Sequence, residues 1–263
     1  MREHERTADP SAQAIRERDI SLTFAKGLSV LKAFDTGSTH LTLPQIAAAT
    51  GLDRAVARRL VLTLVHLGYV RQDGRVFSLT PRILVLAGGF LHARQFGKVI
   101  EPVIRTFSSR IGEAISMAMI DGHQAVYVAH AGARPEAVSI GFTIGSKVPL
   151  LTTAIGRALL AGCDAPAAET LIADAPLEAH TERTTLDRVA ISEDVADSRR
   201  RGYAFVEGQF EAGVAAIAAP VPDGGEPAAL GVSGDAARLA DPARREEIVE
   251  ALRECAKVVA RLL

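Results

Sequence analysis

The stretch from Leu41 to Leu79 limits this chain most, because several local signals follow one another there in a fixed order. LTLPQIAAATG reads as a short helix. Thr42 suits its N-cap, Pro44 falls in the first turn where a missing N–H costs nothing, and Gly51 supplies the left-handed residue that stops it. Asp53 then caps a second helix, RAVARRLVLTLVHLG, with Val56, Leu60, Leu64 and Leu67 expected to face inward and Arg54, Arg58 and Arg59 outward. YVRQDGRVFSLTP follows as two strands, Tyr69–Gln72 and Arg75–Leu79, around Asp73-Gly74, a two-residue hairpin signal. Upstream, SLTFAKGLSVLKAFD places Leu22, Ala25, Leu28, Leu31 and Phe34 at three-residue steps, one stripe of a helix. Three helices, with a glycine turn between the last two and a hairpin after them, make a winged helix-turn-helix.

Charge supports a polyanionic partner for this segment. Residues 21–98 carry ten Lys/Arg against three Asp/Glu, a balance of +7, while residues 99–263 carry sixteen against twenty-three, a balance of −7. A basic segment joined to an acidic one implies two domains with separate tasks. Arg54 and Arg58 lie one turn apart on the exposed helix face and are the candidates for reading base edges, where Arg recognises guanine in a bidentate way. Arg59, with Arg71 and Arg75 beside the hairpin tip, suits neutralising phosphates, and Thr42 joins this set at the start of the first helix of the pair.

These residues resemble the IclR-type transcriptional regulators. The likeness rests on RDISLTFAKGLSVLKAFD, LTLPQIAAATGLDRAVARRLVLTLVHLGYV, the DGR turn and FSLTPRILVLAGGF. It continues at Val148–Ala161, HTERTTLD (180–187) and RRRGYAFVEGQFEAG (199–213), and so covers nearly all of the chain after residue 20. The wording is nearest the subgroup responding to protocatechuate and 4-hydroxybenzoate. The resemblance implies an operator of inverted-repeat double-stranded DNA, a homodimer or a tetramer of the same chain, and a small carboxylate effector.

Thr80-Pro81 opens a helix expected to run through Arg94 and to link the domains; the resemblance implies that it helps form the dimer. Gly88-Gly89 within it cost roughly 1 kcal/mol each against Ala, which points to close packing or a bend. A further helix is expected at about 98–111. Beyond it the period shifts to two. Strands are expected at 114–120, 124–130, 137–142, 203–207, 214–221 and 228–233. Helices are expected at 153–162, 165–173, 192–201 (capped by Ser192) and from Asp241-Pro242 to Leu263. Hairpins with helices between them give an antiparallel α+β domain; the resemblance implies a GAF-like effector-binding one. The expected organisation is a mobile tail (1–20), the winged helix-turn-helix (21–80), a linker helix (81–97) and the effector domain (98–263).

Thr152-Thr153-Ala154-Ile155-Gly156 opens a helix whose free backbone N–H groups suit a carboxylate; the alternative is plain capping, with Gly156 there for close packing. The resemblance adds Val206, Ala216, Gly231 and Ser233 as lining residues. Three of these four are apolar, which favours a larger, partly apolar acid over a small oxo-acid. Ser116, Phe142, Phe205 and Phe210 are further candidates for the walls, or for the core.

Reactive constellations are not evident. There is no Gly-rich phosphate loop, metal-ligand cluster or nucleophile elbow, GFTIGS (141–146) lacks the dinucleotide spacing, and seven histidines are scattered. No cofactor is expected. Cys163 and Cys255 are too few for a disulfide framework. No apolar run reaches a membrane span, and the first twenty residues mix both charge signs without an apolar core, so a cytoplasmic location is expected. The reading is a DNA-binding regulator tuned by an aromatic acid or related pathway metabolite. Its rivals are a regulator with a non-aromatic carboxylate effector, an enzyme fused to a winged helix, and a winged helix that binds protein.

Overall fold

A computed structural model describes residues 19–35, 39–132, 143–222 and 225–263. The chain divides into two compact units, Met1–Gly89 and Phe90–Leu263. The expected tail lies outside the described residues except for Asp19 and Ile20, and so does the strand expected at 137–142.

In the first unit, α1 (Leu22–Lys32) is capped by Ser21, and a 3₁₀ turn (Ala33–Asp35) follows it. Then come β1 (Leu41–Thr42), α2 (Leu43–Thr50), α3 (Arg54–His66), β2 (Val70–Asp73) and β3 (Val76–Leu79). The core gathers Val30, Phe34, Ile46, Val61, Leu64 and Phe77. Two inward faces differ from expectation. In α3 the buried residues are Ala57, Val61 and Leu64, with Val56 and Leu60 half-buried and Leu67 exposed at the C-cap. In α1 Val30 is buried, while Leu22 and Leu28 stay exposed. A helix's inward face is set by what packs on it, and regular apolar steps leave a choice of neighbouring stripes.

The wing is a three-stranded antiparallel sheet of order β1-β3-β2, in which Leu41 pairs with Phe77 and Val70 with Leu79. Asp73 pairs with Val76, so the loop is Gly74-Arg75 rather than Asp73-Gly74. Gly74 has φ 58°, and Gln95 is the one non-glycine with positive φ among the described residues. Positive φ at the first loop position alone is the II′ pattern, whereas an Asp-Gly loop would need it at both.

The helix α4 (Arg82–Ala93) follows the wing, with no buried residue along its length. A π-helical turn (Phe96–Ile100) leads into α5 (Glu101–Ile111). The second unit is built on a six-stranded antiparallel sheet of order β6-β5-β4-β9-β8-β7. Its strands are β4 (Ile115–Asp121), β5 (Gln124–Ala131), β6 (Lys147–Pro149), β7 (Ala204–Glu207), β8 (Val214–Pro220) and β9 (Ala228–Asp235). Its remaining helices are α6 (Ala154–Gly162), α7 (Ala165–Asp174), α8 (Arg188–Arg201), α9 (Ala236–Ala240) and α10 (Pro242–Ala260).

Strand alternation gives the sheet two apolar faces. Met117, Ile217 and Leu230 join Ile104 of α5 and Ile248 and Leu252 of α10 on one side. Ala118, Tyr127 and Val206 join Leu159 of α6 and Ile191 of α8 on the other. The sheet is therefore the middle of three layers. One start signal moves: α8 begins at Arg188, capped by Asp187, whose carboxylate accepts the Val189 amide at 2.8 Å, and Ser192 lies inside it. Aspartate ahead of the first turn outcompetes the later serine.

Candidate functional site

The basic face of the first unit is held by its caps. Asp53 Oδ1 accepts the amides of Ala55 (3.0 Å) and Val56 (2.9 Å), which fixes the first turn of α3. Gly51, at φ 65°, ends α2 and makes the turn between the two helices. Arg54, Arg58 and Arg59 are exposed on α3, and Arg75 is exposed in the wing loop. None of them is in an ion pair with a described residue. Arg71 is tied across the wing, its Nε donating to Ser78 Oγ at 3.0 Å. Thr42 serves α2: its amide and its hydroxyl both donate to Gln45 Oε1, at 2.8 and 2.7 Å.

In the second unit a cavity of about 440 Å³ lies between the sheet and the start of α6. Of the residues expected at an effector site, Thr152, Thr153, Ala154, Ile155, Ser116, Val206, Ala216, Gly231 and Ser233 line it together. Gly156 does not. A Cβ there would stand 2.3 Å from the Leu150 carbonyl oxygen, so this glycine exists for close packing against the β6–α6 loop. Phe142 lies outside the described residues. Phe210 lines the cavity, whereas Phe205 faces the other layer under the guanidinium of Arg245, 3.8 Å from its ring centroid.

The start of α6 both caps itself and leaves donors. Thr153 Oγ1 accepts the Gly156 amide at 3.1 Å and donates to the Pro149 carbonyl at 2.7 Å. The preceding amides are the orphan donors every helix N-terminus has. Beside them Thr152 is 1% exposed, and its hydroxyl has no hydrogen-bond partner among the described residues.

Several lining residues were not legible as such: Tyr127, His130, Gln209, Glu113, Asp235 and Arg238. A register shift between Met117 and Ala118 sets His130 opposite Ser116, with Nδ1 2.9 Å from Ser116 Oγ. Burial holds the His130 imidazole below the usual histidine range and pushes the Tyr127 phenol up. Gln209 is fixed from below by Arg157, itself buried, which donates to Gln209 Oε1 (2.7 Å), Asp194 (2.9 Å) and the Leu151 carbonyl (2.9 Å). Thr184 Oγ1 donates to the Gln209 carbonyl at 2.6 Å, so the HTERTTLD segment braces the loop that closes the cavity. At the rim, Glu113 receives Arg238 and Arg244.

Thiol chemistry finds no support at either cysteine. Burial raises Cys163 and pushes Cys255 up to about 12, away from the thiolate form at neutral pH. Among the described residues no group of His, Cys, Asp and Glu is placed to hold a metal ion, and no single helix is long and apolar enough to cross a membrane.

A winged helix with a free basic face, carried on one chain with a cavity-bearing antiparallel α+β unit, defines a DNA-binding transcriptional regulator with an effector-binding domain. The "IclR helix-turn-helix domain" family matches residues 23–74, and "Bacterial transcriptional regulator IclR C-terminal" matches residues 89–261. The chain belongs to the IclR family. It is 33% identical to the "Pca regulon regulatory protein" of Pseudomonas putida over 223 residues, 84% of this chain and 77% of that protein. It is 30% identical to the "p-hydroxybenzoate hydroxylase transcriptional activator" of Acinetobacter baylyi over 224 residues, 83% and 82% of the two chains. A crystal structure of an IclR-type regulator from Silicibacter sp. matches with a TM-score of 0.81 at 29% identity, covering 91% of this chain and 96% of that one.

Proposed function

We propose that the chain binds an inverted-repeat operator as a dimer, or as a pair of dimers, in the cytoplasm, and that an aromatic carboxylate in the cavity tunes this binding. In this reading it is a regulator and not an enzyme. Arg54 and Arg58 read bases; Arg59, Arg71 and Arg75 anchor the backbone, with Thr42 at the same face. The arm α4 links the two units, and its exposed Leu84, Val85 and Leu86 are covered by a second copy. Gly88 and Gly89 support this, because a Cβ on either would meet nothing within 4 Å among the described residues.

The observation that carries the effector reading is Thr152 on the cavity wall, whose buried hydroxyl has no hydrogen-bond partner among the described residues. An unsatisfied buried hydroxyl costs about 1–3 kcal/mol, which a ligand oxygen would recover. The adjacent first-turn amides of α6 favour an anion there. Apolar walls at Ile155, Val206, Phe210 and Ala216 suit an aromatic ring, and about 440 Å³ lies within the usual span for small-molecule sites. Two relatives named for Pca and p-hydroxybenzoate functions support the same class.

A thermal-shift screen of benzoate, 4-hydroxybenzoate, protocatechuate and succinate tests this. At a hundred times its Kd, a bound acid stabilises by about 2.7 kcal/mol, a readily visible rise in Tm. The aromatic acids should raise Tm, and Thr152→Val should weaken the effect. A shift from succinate alone would overturn the aromatic assignment, and no shift from any acid would overturn the carboxylate reading itself.

A further inference from the structure

Any anion entering the cavity meets an electrostatic problem. Glu113, Glu211 and Asp235 line the walls, and Arg238 is the single lining cation among the described residues. It is committed to Glu113, which also takes Arg244 at 2.8 Å. Arg157, beneath the wall, is engaged by Asp194 and Gln209. Neutral donors such as Thr152 and the α6 amides can hold a carboxylate, but they do not cancel its charge.

We propose that His130 is a ligand-binding group of this cavity that takes up a proton when a carboxylate enters, so that the counter-charge is an imidazolium made on binding. The inference rests on the carboxylate reading above. His130 is half-buried on the cavity wall, and Ser116 of β4 faces it at 2.9 Å. Glu101 and Arg105 of α5 act on it, and Glu113 from the turn before β4, with Asp235 and Arg238 where β9 meets α9, lines the same cavity. Glu101, which favours the imidazolium, and Arg105, which opposes it, pair with each other, and burial is the larger influence on His130. Burial keeps the imidazole neutral in the empty cavity at neutral pH.

In the neutral state one ring nitrogen of His130 carries a hydrogen and the other does not, and the 2.9 Å contact with Ser116 suits either tautomer, because a hydroxyl can donate or accept. One proton from solvent adds to the bare nitrogen. In the imidazolium both ring nitrogens are donors, so Nδ1 donates to the Ser116 oxygen and the Ser116 hydrogen is left to point elsewhere. No covalent bond to carbon changes, and the net uptake is one proton per site. The pocket thereby prefers anions over neutral analogues of the same shape, such as the amide of the same acid, because only an anion stabilises the imidazolium.

Isothermal titration calorimetry of the full chain with benzoate, 4-hydroxybenzoate and benzamide, at pH 6, 7 and 8 in two buffers of different ionisation enthalpy, tests this. The expected result is uptake approaching one proton per site at pH 7. The Kd should rise by up to tenfold per pH unit above that. His130→Gln should abolish the uptake and flatten the pH profile. An NMR titration of the wild-type imidazole covers the case of a misfolded variant: its midpoint should move to higher pH when 4-hydroxybenzoate is added. Acid binding without proton uptake, or uptake unchanged in His130→Gln, would overturn the role of His130 and leave the carboxylate reading standing. If neither acid binds, both fall together.

Discussion

Gly156 is the position where one methyl group decides whether α6 can start where it does. Its missing side chain lets α6 begin against Leu150, whose carbonyl oxygen, Cα and carbonyl carbon all lie within 2.6 Å of where a Cβ would stand. Backbone cannot swing aside as a side chain can. Gly156→Ala should therefore destabilise the protein at or beyond the top of the roughly 1–3 kcal/mol range for overpacking, read as a fall in the denaturant midpoint. The arginines of the basic face make a different kind of claim. Arg58→Ala should cost about 1–3 kcal/mol on the operator and relax its sequence preference. Arg75→Ala should weaken specific and random duplexes alike and lower the slope of log K against log salt by about one. Equal losses on both duplexes for both variants, measured by fluorescence anisotropy, would remove this division of roles.

At the scale of elements, arginines hold the effector unit's helices in register. Arg199, at the end of α8, donates to the carbonyls of Ala161 (3.0 Å), Leu160 (3.3 Å) and Cys163 (2.9 Å), so it satisfies the C-terminus of α6 from a neighbouring helix. Arg199→Ala should cost about 1 kcal/mol in thermal unfolding, while Arg200→Ala, whose partner is the exposed Asp197, should cost little. Elements of this kind were the legible part. Glycine stops, aspartate caps and alternating strands are local, and α2, α3, the hairpins and most of the six-stranded sheet followed from them. The errors were also local in form but not in cause. The wing hairpin slides by one residue: Asp73 pairs with Val76, leaving Gly74-Arg75 as the loop. The two-residue strand β1 was missed because its only support is the distant Phe77 and Val76. His130 was missed because a bulge in its own strand at Val128, invisible in the sequence, shifts the register that sets it opposite Ser116. Glu113 and Gln209 were missed because tertiary ion pairs and braces, not periodicity, bring them to the cavity.

For the whole molecule, the charge division written into the sequence has a physical meaning in the fold. The +7 segment presents its exposed arginines from a small three-helix unit, and the −7 segment encloses a cavity whose rim is acidic. The link between output and input is α4, a helix of apolar residues of which none is buried within one chain. Its Leu84 and Val85 are 70% and 73% exposed, which a monomer gains nothing by presenting to water. A two-fold partner would cover them and set two copies of α3 at matched half-sites. Binding of an acid would then alter DNA affinity only by the difference in its affinity for two arrangements of that assembly, typically 5- to 150-fold. The most direct measurement is the anisotropy of a labelled duplex from upstream of its own gene, titrated with protein with and without 4-hydroxybenzoate. Binding should weaken steeply with salt, and the acid should change Kd several-fold, an effect lost in Thr152→Val. No binding at low salt, or binding indifferent to every aromatic acid, would contradict it.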